Sequence, residues 1–292
     1  MRGYLLALGA YVGWGLFPLY WKQLAHVAPE EVLVHRLLWS LPFVAIVILL
    51  SRNWPLVVNV LRKKRQVGFL TLSAILISIN WGVYIWAVAN NQVVGASMGY
   101  FLTPLLHVLL GLLVFDERLN RGQWLAVALA FAGVTWQIVR LGELPWVGLT
   151  VGFSFALYGM LRKKVAADSA TGLFIETLLL FPFGLGLVFW WHRQGTGSFL
   201  HIDTSTDLLL ILGGAVTAIP LLLFAAGARR LPLATMGLLF YLTPTMQFLI
   251  GVLVYDEPLE RARLYGFALI WAGLLVYTFS LRQRPGLAAA QR

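Results

Sequence analysis

No Asp, Glu, Lys or Arg occurs between Val93 and Phe115, and comparable apolar runs recur along the whole chain. A helix needs about 20 apolar residues to cross the hydrocarbon of a bilayer. By that measure the sequence predicts ten spans, at 3–24, 32–50, 67–89, 93–115, 123–139, 145–161, 172–191, 208–228, 233–255 and 264–281. Of the 292 residues 60% are hydrophobic and only 12% charged, where soluble domains carry about 25%. A soluble fold of this size cannot hide so much apolar surface. The expected fold class is therefore an all-α integral membrane protein with ten transmembrane helices.

The second constraint is a duplication. Residues 101–139 return as 241–279, 140 positions later, with 15 of 39 aligned residues identical. Leu102-Thr103-Pro104 reappears as Leu242-Thr243-Pro244, Asp116-Glu117 as Asp256-Glu257, and Ala132-Gly133 as Ala272-Gly273. Ten spans split by this period give two units of five, residues 1–140 and 141–292. An odd number of spans per unit inverts the second copy, an arrangement typical of transporters. Equivalent residues near span ends then lie on opposite faces of the bilayer, and only mid-span equivalents meet.

Charge sets the expected orientation. With the N-terminus inside, 16 Lys and Arg fall on the cytoplasmic side and 5 on the other, with Arg36 left within a span. That bias predicts cytoplasmic termini. The net charge of +10 sits in short connectors rather than on one folded face, so nucleic acid is not an expected partner. Trp21, Trp54, Trp146, Trp190 and Trp191 lie near span ends, as interfacial anchors do. The first span is long and no small-residue cleavage site follows it, so a cleavable signal peptide is not expected.

Several functional classes fall away. The chain has no cysteine, and its five histidines lack ligand spacing, so no metal or thiol chemistry is expected. No cofactor is expected either. No lysine follows a glycine, so there is no P-loop to drive nucleotide-dependent pumping. Gly95-Ala96-Ser97-Met98-Gly99 spells G-x-S-x-G, but it opens an apolar helix rather than a strand-to-helix elbow. The chain is not expected to be an enzyme.

The residues that could carry chemistry cluster in four places. Pro104 and Pro244 fall near the centres of spans four and nine and free the carbonyls of Tyr100 and Phe240, while Pro220 breaks span eight. His107 and Gln247 follow the first two prolines by one turn and are repeat equivalents. Together with Tyr100, Phe240 and Tyr241 they are candidates for a substrate path, interhelical hydrogen bonding being the plainer alternative. Asn80, Trp81 and Tyr84 in span three could line a pocket for a flat or aromatic molecule, or simply pack. Arg36 and Glu176, also equivalent, are the deepest ionisable residues, and inversion sends them to opposite sides as entrance or coupling candidates; snorkelling is the alternative for both. Gly9/Gly13, Gly95/Gly99 and Gly148/Gly152 predict close helix contacts, and the two Asp-Glu pairs predict caps on the helices that follow them.

The chain resembles the EamA-type drug/metabolite transporter superfamily, and within it the RarD branch. The resemblance spans nearly the whole length. It rests on Trp14-Gly15, Glu31-Val32-Leu33-Val34-His35-Arg36, Asn80-Trp81 with Ile85-Trp86-Ala87-Val88, Gly99-Tyr100-Phe101 with Pro104, and Leu161-Arg162-Lys163-Lys164. It implies a ten-helix bundle with a central cavity opened alternately to each side, in a bacterial inner membrane, exporting amino acids, drugs or other metabolites. The branch is associated by name with chloramphenicol sensitivity. The expected partners are a small-molecule substrate, the lipid bilayer and a proton as candidate coupling ion, with Glu176 or His107 titrating; monomer and homodimer both stay open. A scaffold or accessory subunit that moves nothing is the competing class.

Overall fold

The computed structural model describes residues 2–115, 119–228, 230, 231, 236 and 239–282. The expected Asp116-Glu117 cap lies outside these residues. Among them all regular structure is helical. The helices are α1 (Arg2–Gly15), α2 (Phe17–Trp21), α3 (Pro29–Leu50), α4 (Trp54–Leu61), α5 (Lys64–Ala89), α6 (Val93–Phe115), α7 (Arg121–Leu141), α8 (Trp146–Lys163), α9 (Ser169–Gln194), α10 (Thr204–Ala228), α11 (Leu242–Leu253) and α12 (Arg261–Arg282). Among the described residues seven stretches are long and apolar enough to cross a membrane: Arg2–Leu24, α3, α5, α7, α9, Thr204–Phe224 and Arg261–Ser280. Leu50, Leu113, Phe131, Phe183 and Leu253 stand more than two-thirds exposed on the outer surface, where water would penalise them and lipid does not.

The two ends of the bundle are marked by polar contacts between distant segments. At one end the Lys22 ammonium donates to Val88 O and Asn91 Oδ1, and Ser198 N–H donates to Glu31. At the other, Asn53 donates to Asp168, and Gln66 bridges to Lys164 and Ala166. These are called the Lys22 end and the Lys164 end below.

Small residues set how closely the helices approach. A Cβ on Gly99 would stand 2.4 Å from Gly148 O, and one on Gly152 would stand 2.9 Å from Gly99 O. The backbones of α6 and α8 therefore touch directly, as the glycine spacing predicts. Gly13 in α1 faces the Pro220 ring of α10 at 3.0 Å.

Two local features depart from the sequence reading. The first apolar run is not one helix: α1 stops at Gly15, and α2 restarts with Pro18 in its first turn. Pro18 has no N–H for the Trp14 carbonyl, and the Gln247 carboxamide donates to that carbonyl instead, at 3.0 Å. The connector after α3 also contains α4, which buries Val57 and Val60 while Trp54 stays half exposed.

The two proline breaks differ as well. Helix α6 continues through Pro104. In contrast α11 starts at Leu242, after a turn at Tyr241, so Pro244 lies in its first turn, where a missing N–H costs little. Of the three expected helix breaks, Pro104 and Pro220 lie within continuous helices, α6 and α10, and only Pro244 accompanies a restart.

Candidate functional site

Asn80 is the polar centre of the bundle. It is buried on α5 and donates to Val151 O at 2.8 Å and Ser154 Oγ at 3.1 Å, both on α8; its Oδ1 accepts from the Tyr100 hydroxyl of α6 at 3.2 Å. One carboxamide thus ties three helices together. From Tyr100 an aromatic row runs into the second half of the chain. The Tyr100 ring meets Tyr84 at 5.9 Å and Phe155 at 5.8 Å. Phe155 stacks on Tyr158 at 6.0 Å and on Phe240 at 6.2 Å, and Phe240 meets Tyr11 edge-on at 6.0 Å. Tyr100, Phe155, Tyr158 and Phe240 each keep partial exposure although they face one another.

Toward the Lys22 end lies Arg36. Its guanidinium sits 3.8 Å from the Trp81 ring centre, 5.0 Å from Trp21 and 5.3 Å from Phe17. Its Nε donates to Thr217 Oγ1 of α10 at 2.9 Å. A cation at membrane depth costs about 2.5–3.5 kcal/mol on insertion scales, and each ring face returns about 0.5–2 kcal/mol. Three rings together return an amount comparable to that cost, so they offset much of it without an acid. Arg36 is 2% exposed, so it does not snorkel.

Toward the Lys164 end lies Glu176, 1% exposed. It accepts from Ser73 Oγ at 2.5 Å and Tyr158 OH at 3.4 Å, and lies 3.8 Å from Arg162 Nε. Arg162 also donates to Asp168 O, the residue that caps α9. Ser73 and Trp81 are eight residues apart on α5, which puts the Glu176 and Arg36 clusters roughly 12 Å apart along the helix axis.

The remaining candidates scatter. Gln247 is buried against α1, as is Thr243, whose hydroxyl donates to Tyr11 O at 2.9 Å. His107 is exposed, with its Nε2 against Gly159 of α8. His107 thus lies against α8 and Gln247 against α1. Tyr241 packs against the core cluster that contains Phe101 and Phe248. Pro220 supports Gly13, as above. A surface groove of about 230 Å3 opens at the Lys22 end between Glu31, Phe189, Trp191, His192 and Phe199, away from the central row.

Three sequence assignments change. Trp21 is buried under Arg36, so it is no interfacial anchor, whereas Trp54, Trp146 and Trp190 are exposed as anchors should be. Arg162, counted as a connector charge, reaches Glu176. The Glu257 carboxylate does not cap the helix that follows it; it accepts from the N–H groups of Val93 and Val94 at 2.6 and 2.8 Å and so caps α6. Phe155 and Tyr158 had no distinguishing signal beyond their aromatic character, and Thr217 looks like any hydroxyl in an apolar run.

Apolar residues outward and buried polar clusters inward define an integral membrane protein. The chain belongs to the EamA-like transporter family, matched over residues 1–138 and 145–279, and it is a membrane transporter of the RarD-like type rather than a member of an enzyme family. It is 43% identical to Protein RarD of Streptomyces exfoliatus, over 99% of this chain and 93% of that one. It is 45% identical to the Uncharacterized transporter YojE of Bacillus subtilis, over 96% and 94%. It is 30% identical to the Chloramphenicol-sensitive protein RarD of Pseudomonas aeruginosa, over 94% and 93%. A crystal structure at 20% identity superposes with a TM-score of 0.57, covering 97% of this chain and 99% of that one, a likeness of fold alone.

Proposed function

We propose that this protein is a secondary transporter of small organic molecules, amphipathic or aromatic in character, working by alternating access. On this reading ten spans form two inverted units, residues 1–140 and 141–292, with α1 and α2 together making the first span. Both termini face the cytoplasm of a bacterial inner membrane. Support for the two units comes from the 140-residue period and from the family match falling in two segments. The observation that carries the mechanism is the row Tyr100–Phe155–Phe240. It crosses from one unit to the other and leads between the Arg36 and Glu176 clusters. Rocking one unit against the other would expose the row to each side in turn.

Glu176 is the candidate coupling group, since a buried carboxylate beside Arg162 and Tyr158 has partners in either protonation state; His107 is the second candidate. The test is flux in proteoliposomes, using a panel of amino acids, aromatic acids and chloramphenicol, with and without an imposed pH gradient. Transport of at least one member above protein-free vesicles is expected, and faster against the gradient of protons. Equal rates with and without the gradient would remove proton coupling; no flux for any member would favour a scaffold.

A further inference from the structure

We propose that the Arg36 cage binds the carboxylate of the transported molecule while the aromatic row receives its apolar body. The inference rests on the transport reading above. Arg36 spends its Nε on Thr217, yet its Nη1 is buried without a hydrogen-bond partner among the described residues, and so are Trp21 Nε1 and the Tyr84 hydroxyl. Trp21 lies against the guanidinium, and Tyr84 packs in the same core cluster as Trp21. Three groups able to donate are thus gathered with no acceptor. Trp81, Trp21 and Phe17 surround the guanidinium, none of them can accept a hydrogen bond in the ring plane, and the N–H fork of an arginine matches a carboxylate.

The repeat explains why the negative charge is missing. Adding 140 takes Arg36 to Glu176 and Lys22 to Arg162. In the second unit these two positions hold an acid and a base, which pair at 3.8 Å. In the first unit both positions are cations, and Lys22 turns away to Val88, Ala89 and Asn91. Acids at that end are engaged elsewhere: Glu31 accepts from the N–H groups of Ser198 and Phe199, Glu257 from those of Val93 and Val94, Asp207 from that of Leu200 and Asp203 from that of Thr206. No described carboxylate forms an ion pair with Arg36. An anion that arrives with the substrate would complete the site.

The test measures binding to the purified protein in neutral detergent, by thermal shift and calorimetry, for phenylacetate and phenylalanine against phenylacetamide and phenylalaninamide. The acids should bind and the amides should not. Arg36→Gln should raise Kd for the acids at least tenfold, and Arg36→Lys should restore part of that loss. Without ligand, Arg36→Gln should still elute as a single monodisperse peak and melt cooperatively, so that its lost acid binding reports the site and not unfolding; Arg36→Lys, which keeps the charge among the rings, is the second control. Acids and amides binding alike, no binding by either acid, or unchanged acid binding in Arg36→Gln overturns the assignment. Flux separates the two claims: acid-selective binding without flux removes only the transport reading, and equal flux of acids and amides removes only the carboxylate site.

Discussion

Arg36 and Glu176 occupy one repeat position, yet their neighbours differ in kind: aromatic faces and a single hydroxyl around the cation, an arginine and two hydroxyls around the acid. For Glu176→Gln we expect a loss of up to about 3 kcal/mol, the lower part of the range for a broken buried pair, because Arg162 keeps some solvent contact. Arg162→Gln added to it should cost less than the sum of the two single changes, since no charge is then stranded. Thermal melts of the four proteins in the cycle check this; strict additivity would mean the pair does not interact. Asn80→Ala should cost about 1–3 kcal/mol, because it removes the acceptor of the Tyr100 hydroxyl and the bonds that tie α5 to α8. Both residues stood out in the sequence, because a charge or carboxamide amid apolar runs is conspicuous. Their partners did not stand out. Trp21, Ser73, Thr217 and Arg162 acquire meaning only when the helices are laid side by side.

Among the elements, α6 gives the sharpest contrast between neighbouring positions. Gly95 and Gly99 are one turn apart, but a Cβ on Gly95 meets nothing within 4 Å while one on Gly99 meets Gly148 O. Gly95→Ala should be neutral or stabilising by up to about 1 kcal/mol through helix propensity. Gly99→Ala should cost about 3 kcal/mol or more by prising α6 from α8. Size-exclusion profiles and melting temperatures of the two variants distinguish them, and equal behaviour would contradict the close packing. Loss of the α6 cap in Glu257→Ala should cost about 1 kcal/mol, with Glu257→Gln intermediate. The bounds of α6 were legible because polar turns frame a charge-free run. The break between α1 and α2 was not, since Leu16 and Phe17 continue the apolar pattern and only Pro18 interrupts it. Nor could local sequence disclose that Glu257 caps a helix 163 residues away from it; the Asp-Glu spacing fits a cap on the following helix equally well.

At the scale of the molecule, the proposed duplication and inversion would let one architecture serve two faces of a membrane. Apolar runs made the membrane class evident, and the 140-residue period in the sequence is the ground for proposing two units. What the period cannot convey is how far the units have diverged. Position 80 is Asn in the first unit and Pro220 in the second, and the Arg36 and Glu176 clusters carry opposite charge. A two-fold scaffold around an asymmetric solute needs that divergence. The central claim is that the row between the units opens to one side at a time. The chain has no cysteine, so Tyr84→Cys and Tyr158→Cys each create a unique thiol, near the Lys22 and Lys164 ends respectively. The decisive measurement is their labelling in proteoliposomes by a membrane-impermeant maleimide applied from either side, with and without phenylacetate. Alternating access predicts that the two thiols are reached from opposite sides, and that ligand raises one rate as it lowers the other. Labelling of both from the same side, or of neither under any condition, would contradict it.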